Sequence, residues 1–325
     1  MYSKKRTLMD KFTLSNKKTD LPRDAVIDRI FVNFSGVVHN VNSTTDSVLT
    51  MSDLLNQITD MRIVSDGNTV HYSVKALDIA VLNYYDSQGK TVNPDAAFTA
   101  VKAADTPFAF MVIFDQGDIM ALSKESLEFS INVNPTVNAD CAITSLTGTI
   151  SLEENVYSTE EFQAKYGADL SLAAEPKIVA LEKAFNVSEE LAEFFEIPTG
   201  TLNRRAVLTS FSTAGVRGGS NPGKIGIIVT TPDRREIYTL EYESMKEINR
   251  RSYLCAPLTG VVLIDYGTEI TNDIFGLRGW KFQKGDYQIA AKAATAGKIR
   301  YLSCEYVVNT RVFEIARAVL EGTPS

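Results

Sequence analysis

The chain repeats one pattern of strands, turn and helix in its two halves, and this repeat limits the possible folds more than any other feature. Val112 to Gly117 reads as an apolar triplet, Asp, one further residue and Gly, and the same order recurs from Val262 to Gly267. Upstream of each copy, two strand-like segments flank a turn and a helix-like segment follows. These segments are residues 58–65, 69–74 and 75–85 in the first half and 224–231, 235–241 and 242–251 in the second.

Short strands separated by turn signals at regular spacing favour β-sandwiches or barrels. The turn at Asp66-Gly67 gives the clearest signal, because glycine readily adopts the positive φ that a tight hairpin requires. The helical segments supply too little material for a parallel α/β sheet. We therefore predict an all-β chain made of two tandem eight-stranded jelly rolls, which are β-sandwiches, with short inserted helices.

The length of 325 residues exceeds the size at which a single core stops growing, roughly 250–300 residues, so two domains are expected. The predicted segments are a basic N-terminal arm (1–23), a first jelly roll (24–152), a connector with short helices (153–200), a second jelly roll (201–308) and a C-terminal helix (309–325).

Three finer predictions accompany these boundaries. Residues 177–185 form a strand that belongs to the second jelly roll, and Ser188 begins a short helix that runs through Phe195. Strand alternation places the side chain of Ile113 in the first core, and that of Val261 or Leu263 in the second.

The charge is unevenly distributed. The whole chain carries a net charge of −7, yet residues 1–23 contain seven basic and two acidic residues, a net of +5 that leaves −12 for the remainder. A basic arm on an acidic body is typical of contact with nucleic acid or anionic lipid, although a solvated, disordered terminus gives the same pattern. The residues expected to face a membrane or genome are Lys4, Lys5, Arg6, Lys11, Lys17 and Lys18.

The sequence offers few groups for catalysis or metal binding. It contains three cysteines without a CxxC pair, and its two histidines, His39 and His71, are expected to be structural. Gly218–Lys224 superficially resembles a phosphate loop, but Ile225 stands where Ser or Thr is required and a strand follows. Asp115 and Asp265 fall in different predicted domains, where turn capping explains each of them. We expect no enzyme activity, no cofactor and no metal.

We expect neither a membrane-spanning helix nor a secretory signal. The longest strongly apolar run, Phe108–Phe114, is far shorter than the roughly 20 residues of a membrane-spanning helix. No apolar segment of the kind found in secretory signals follows the basic N-terminal residues.

The sequence resembles the double jelly-roll major capsid proteins of tailless icosahedral viruses, including bacteriophages, many of which enclose a membrane. The resemblance rests on residues 25–38 (AVIDRIFVNFSGVV), on 61–85 (MRIVSDGNTVHYSVKALDIAVLNYY) and on the weaker echo at 225–251. Residues 153–200 depart from the pattern, which leaves the first strand of the second domain undefined.

The resemblance implies a structural role. It implies a homotrimer whose six jelly rolls form a pseudo-hexagonal capsomer, and capsomers that tile an icosahedral shell. The implied partners are neighbouring capsomers, other capsid proteins such as a vertex protein, and an internal lipid membrane or the packaged genome through the N-terminal arm. The implied location is the virion, with assembly in the host cytoplasm.

Two other functions fit a pair of β-sandwiches. The first is a carbohydrate- or receptor-binding protein of a phage tail or spike, since fold alone does not define function. Sugar-binding sites usually present exposed aromatic platforms, whereas this chain has a single tryptophan, Trp280, in a strand-like segment. The second is a glycosidase, which requires a pair of carboxylates that the sequence does not reveal.

Overall fold

The computed structural model describes residues 2–9, 17–166, 174–230, 233–266, 272–274, 277–279, 282 and 287–310. The chain divides into two compact units, one made of residues 1–176 with 308–325 and the other of residues 177–307. The predicted C-terminal helix at 309–325 lies almost wholly outside the described residues, as does part of the predicted turn between 224–231 and 235–241.

The first unit consists of two packed sheets with short helices at their ends. Its strands are β1 (Tyr2–Met9), β2 (Lys17–Asp20), β3 (Val26–Asn40), β4 (Ser47–Thr50), β5 (Ile58–Ser65), β6 (Thr69–Val74), β7 (Ala97–Ala100), β8 (Asp105–Phe114), β9 (Leu127–Val133) and β10 (Cys141–Val156). Its helices are α1 (Met51–Leu55), α2 (Ala76–Asp86) and α3 (Thr159–Tyr166), with a 3-10 turn at Ala121–Ser123.

The second unit is built in the same way. Its strands are β11 (Ala174–Phe185), which begins just before the unit boundary, β12 (Ala192–Glu196), β13 (Leu202–Ser212), β14 (Lys224–Val229), β15 (Arg235–Glu241), β16 (Val261–Asp265), β17 (Asn272–Ile274), β18 (Leu277–Gly279), β19 (Tyr287–Lys292) and β20 (Gly297–Val308). Its helix is α4 (Tyr242–Tyr253).

The sheets of the two units have the same topology. In the first unit the orders are β1-β10-β3-β8 and β2-β9-β5-β6, and in the second β11-β20-β13-β16 and β12-β19-β14-β15. When the strands outside the small pairs β4-β7 and β17-β18 are numbered along each unit, both units read 1-8-3-6 and 2-7-4-5. This is the strand order of a jelly roll, so the predicted fold class is confirmed.

The predicted domain boundaries leave out strands that the structure includes. Residues 1–23 contain β1 and β2, which are the first two strands of the first jelly roll and pair with β10 and β9. The predicted connector contains β11 and β12, the first two strands of the second jelly roll. Each of these strands pairs with a segment near the far end of its own unit, and the sequence around it does not reveal such a partner.

The predicted helix beginning at Ser188 is wrong. Ala192–Glu196 is a strand, in which Phe195 is buried and is the register partner of Ile289 on β19. Helix α3 begins with a capping box, in which the Ser158 hydroxyl accepts from the Glu161 N–H at 3.2 Å. The strand expected at 177–185 is part of β11.

Aromatic contacts join the two sheets of the first unit. Phe114 on β8 packs edge-to-face against Tyr72 on β6 at 4.9 Å and against Phe129 on β9 at 6.0 Å, measured between ring centroids. Burying each such side chain stabilises the fold by about 1.5–3 kcal/mol. Val112 and Phe114 therefore point into this core, whereas Ile113 is only half-buried, so the predicted alternation is wrong by one residue.

In the second unit, the side chains of β16 in the core are the neighbours of the predicted Val261 and Leu263. Val262 and Ile264 lie in the core cluster with Ala206, Leu208 and Tyr301. Val261 and Leu263 are also buried, but on the other face of β16. Alternation on an extended strand gives two faces, and here both faces are covered.

The turn that the sequence marks most clearly forms as expected. Asp66 and Gly67 both have positive φ, 53° and 75°, between β5 and β6. Two successive positive φ values define the type I′ turn, whose twist matches that of a two-stranded ribbon.

Helices α2 and α4 occupy the same place in the two units, between the fifth and sixth jelly-roll strands. Residues 76–85 of α2 are all buried, so this helix has no solvent-facing polar side. In α4 only Tyr242, Met245 and Asn249 are buried, and charged side chains cover the remaining surface.

Each of these helices is bound to an edge strand by one asparagine. The Asn83 side chain donates to the Ile113 carbonyl at 2.7 Å and accepts from the Ile113 N–H at 2.8 Å. Asn249 makes the same two bonds with Leu263, at 2.9 and 2.8 Å. Because β8 and β16 are edge strands, the carboxamide takes the place of a neighbouring strand.

We predict that Asn83→Ala and Asn249→Ala each lower the free energy of unfolding well below that of the wild type. Each variant leaves a buried N–H and a buried carbonyl without a partner, at about 1–3 kcal/mol per group. The measurement is the denaturant midpoint of each variant, with Asn186→Ala in an exposed loop as control. A loss no greater than that of the control would show that the two carboxamides do not hold the helices.

Candidate functional site

The predicted basic residues lie in strands of the first jelly roll. Lys4, Lys5 and Arg6 are in β1, and Lys17 and Lys18 are in β2, whereas Lys11 lies outside the described residues. The expectation of a separate arm is therefore wrong for Tyr2–Met9, whose backbone pairs along β10.

Acidic residues lie opposite this basic strand. Lys4 and Lys5 are the register partners of Glu154 and Glu153 on β10, and the Lys4 ammonium lies 3.5 Å from the Asp24 carboxylate. On β2, Lys18 forms an ion pair with Glu128. Opposite charges across a strand pair favour one register, which gives these basic residues a structural role in addition to any contact with an external anion.

The outward face of sheet β1-β10-β3-β8 carries a patch without charge. Its six central side chains form two cross-strand rows, Met111 with Asn33 and Thr149, and Ala109 with Ser35 and Thr147. We call this patch the uncharged face, and it consists of Asn33, Ser35, Ala109, Met111, Thr147 and Thr149.

Charged pairs mark the two ends of the uncharged face. At one end the Arg29 guanidinium lies 3.4 Å from the Glu153 carboxylate, and at the other the His39 ring lies 2.8 Å from the Asp105 carboxylate. Gly36 on β3 lies next to the uncharged face. A Cβ added at Gly36 would lie 2.4 Å from the Ser145 carbonyl oxygen and 2.7 Å from the Phe108 ring. The surface here has open grooves rather than a closed cavity.

A buried ion pair anchors two distant segments to the first unit. The Glu175 carboxylate lies 2.6 Å from the Lys124 ammonium, and both side chains are 6% exposed. The same carboxylate accepts from the Met120 N–H at 2.8 Å and from the Asn309 carboxamide at 3.0 Å. Residues 174–176 and 308–309 are thereby held against the loop before β9. Removing one partner of such a pair typically costs about 3–5 kcal/mol.

His71 lies beside this ion pair and is buried. Its Nε2 is 2.9 Å from the Ser65 hydroxyl, and its ring hydrogen-bonds to the Pro176 carbonyl. Burial lowers the pKa of His71 from its ordinary value of 6.5, with a further lowering from Lys124 that the charge of Glu175 opposes. His71 is therefore a neutral structural histidine, as the sequence suggested.

The Gly218–Lys224 loop and the two aspartates, Asp115 and Asp265, lie in different local surroundings. Lys224 begins a strand, not a helix, so the Gly218–Lys224 loop lacks the helix N-terminus that a phosphate site requires. Asp115 accepts from the Gln116 side chain at 3.0 Å in the first unit, and Asp265 accepts from the Tyr253 hydroxyl at 2.8 Å in the second. Each aspartate thus has its own local partner.

No three His, Cys, Asp or Glu side chains in the described part of the chain are grouped so that they could hold a metal ion. Among the same residues, no helix has the length and apolar character to cross a membrane.

The geometry defines a chain of two jelly rolls, each with a helix bound to its sixth strand. No protein-family model and no curated protein sequence matches the chain. Solved structures do match it. With the crystal structure of the major capsid protein of Sulfolobus turreted icosahedral virus, the TM-score is 0.83 at 15% identity, covering 95% of this chain and 97% of that chain.

Two further structures come from other viruses. The major capsid protein P2 of bacteriophage PM2 has a TM-score of 0.57 at 12% identity, covering 95% of this chain and 98% of that chain. The PBCV-1 virus capsid has a TM-score of 0.59 at 10% identity, covering 94% and 93%. At such identities the likeness is one of fold: the chain has the double jelly-roll fold of these capsid proteins.

The two asparagines and the Glu175 ion pair are the site features that sequence reasoning missed. Asn83 and Asn249 are each the eighth residue of their helix, a coincidence visible once the helices are aligned. Glu175 and Lys124 gave no signal, because nothing in the local sequence shows that a charged residue will be buried.

We predict that His71 makes the protein sensitive to mild acid. Its pKa is lower in the folded than in the unfolded chain, so the unfolded state binds the proton first. The contribution of neutral His71 is therefore fully present above about pH 6.5 and is lost as the pH falls toward the folded-state pKa. In His71→Gln, the melting temperature should fall less than that of the wild type between about pH 7.5 and pH 5.

If the melting temperatures of the wild type and His71→Gln change equally over this pH range, His71 is not the group that makes the protein sensitive to acid. Other groups titrate in both proteins, among them Asp118, whose pKa is raised by burial. The difference between the two curves therefore isolates His71.

Proposed function

We propose that the chain is a viral major capsid protein that builds an icosahedral shell and has no catalytic activity. The observation that carries the proposal is the duplication: two jelly rolls share one strand order and bind their helices through equivalent asparagines. The likeness to a viral major capsid protein over nearly the full length of both chains supports it.

The duplication also favours a trimer. Three copies of a chain with two similar sandwiches supply six similar building blocks, which is what a pseudo-hexagonal capsomer requires. The proposed partners are the chain itself, neighbouring capsomers and another capsid protein at the vertices. The proposed location is the virion, with assembly in the host cytoplasm.

We expect the purified protein to be a homotrimer, with a light-scattering mass close to three times the 35.8 kDa of the chain. Negative-stain electron microscopy of the same sample should show particles with a hexagonal outline. A monomer at micromolar concentration would contradict the capsomer, and a trimer without six-part symmetry would contradict the equivalence of the two units.

The basic residues near the N-terminus are the proposed contact with an internal membrane or the packaged genome. Because Tyr2–Met9 is a strand, deleting it would damage the fold and would not test this contact. Substitution of side chains tests it, since the backbone pairing with β10 is then left in place.

We predict that replacing Lys4, Lys5 and Arg6 by Gln weakens binding to vesicles that contain phosphatidylserine. The expected loss is about 1 kcal/mol per charge at low salt. The matched control replaces Lys246, Arg250 and Arg251 on α4 by Gln, which changes the net charge by the same amount. Equal losses in both variants would mean that the vesicles respond to net charge and not to this strand.

A further inference from the structure

The two jelly rolls differ in how much of one equivalent face is covered. Phe31 is the register partner of Ile113 in the first unit, as Val207 is of Leu263 in the second, so the rows of the two sheets can be matched. By this matching, Val261 occupies the place of Met111.

The equivalent positions have opposite exposures. In the second unit the row equivalent to Met111, Asn33 and Thr149 consists of Val261, Thr209 and Arg300, which are 0%, 4% and 8% exposed, so this row is excluded from solvent within the chain itself. In the first unit Met111 is 39% exposed, and Asn33 is also exposed. The row that contains Val261 is therefore covered in the second jelly roll, whereas the equivalent row that contains Met111 is open in the first.

The open face has the composition of a contact surface. Between the Arg29–Glu153 and His39–Asp105 pairs, every outward side chain on β3, β8 and β10 is uncharged. The chain carries a net charge of −7, and solvent-facing strands normally carry charges that oppose association. Depletion of charge together with an exposed methionine is typical of the centre of a protein interface.

We propose that the uncharged face is a contact between subunits and that the second jelly roll of a neighbouring copy of this chain covers it. This inference rests on the proposed trimer. In a closed ring of alternating first and second units, each unit meets its neighbours in nearly the same way. A face that is covered in the second unit is then covered in the first unit too, and only another copy can cover it.

The test uses Ala109→Arg, which places a long charged side chain at the centre of the uncharged face. Ala109 is exposed on β8, so the substitution leaves the core intact. The control is Ala97→Arg, at an exposed strand position of the same unit but outside this face. Circular dichroism and thermal melting verify that both variants fold, and light scattering gives their masses.

The proposal expects a trimeric wild type and Ala97→Arg but a monomeric Ala109→Arg. A trimeric Ala109→Arg would overturn the assignment of this face and leave the proposed capsomer standing. A monomeric wild type would overturn both the assigned face and the proposed capsomer. If Ala97→Arg also loses the trimer, a charge outside the uncharged face has the same effect, and the assignment of this face fails.

Cysteine labelling provides a second measurement that introduces no bulky side chain. In Met111→Cys, maleimide should react several-fold more slowly in the trimer than in the Ala109→Arg background. Val48→Cys, at a position 78% exposed, should react equally in both backgrounds, and peptide mapping separates these sites from native Cys255. Equal reactivity of Met111→Cys in the two backgrounds would show that nothing covers the face.

Discussion

Hydrogen bonds between a helical asparagine and the backbone of an edge strand hold the same helix in place in both jelly rolls. A carboxamide offers one donor and one acceptor, which complement the outward N–H and carbonyl of a single strand residue. Asn83 and Asn249 each satisfy such a residue and so fix the position and rotation of a helix. The β8 edge of one unit and the β16 edge of the other are thereby partly closed in the same way.

Local patterns in the sequence reveal the parts of this fold that depend on neighbouring residues. The Asp66-Gly67 turn, the capping box of α3 and the duplicated strand before Asp115 and Asp265 were all predictable, because each is defined within a few positions. Strands β1, β2 and β12 were not. Their charged residues suggest solvent, and only pairing with β10, β9 and β19 makes them strands.

The burial of polar groups was equally hidden from the sequence. Asn83 could be found only by aligning two helices, and Glu175 by knowing that Lys124 and Asn309 meet it. The two units have similar interiors but different outward sheet faces. The row of Val261, Thr209 and Arg300 is covered in the second unit, whereas the equivalent row of Met111, Asn33 and Thr149 is more open in the first, so the two units share a scaffold without sharing an environment.

The pairing of β1 with β10 has a consequence for how the chain is synthesised. Tyr2 leaves the ribosome long before its register partner Val156, so the nascent first jelly roll carries an unfilled edge while most of its residues are already available. Asn309, which joins the Glu175 ion pair, emerges later still. The last contacts of the first jelly roll therefore form only after the second has been translated, and its unpaired strand edge stays open to wrong partners until Val156 has emerged.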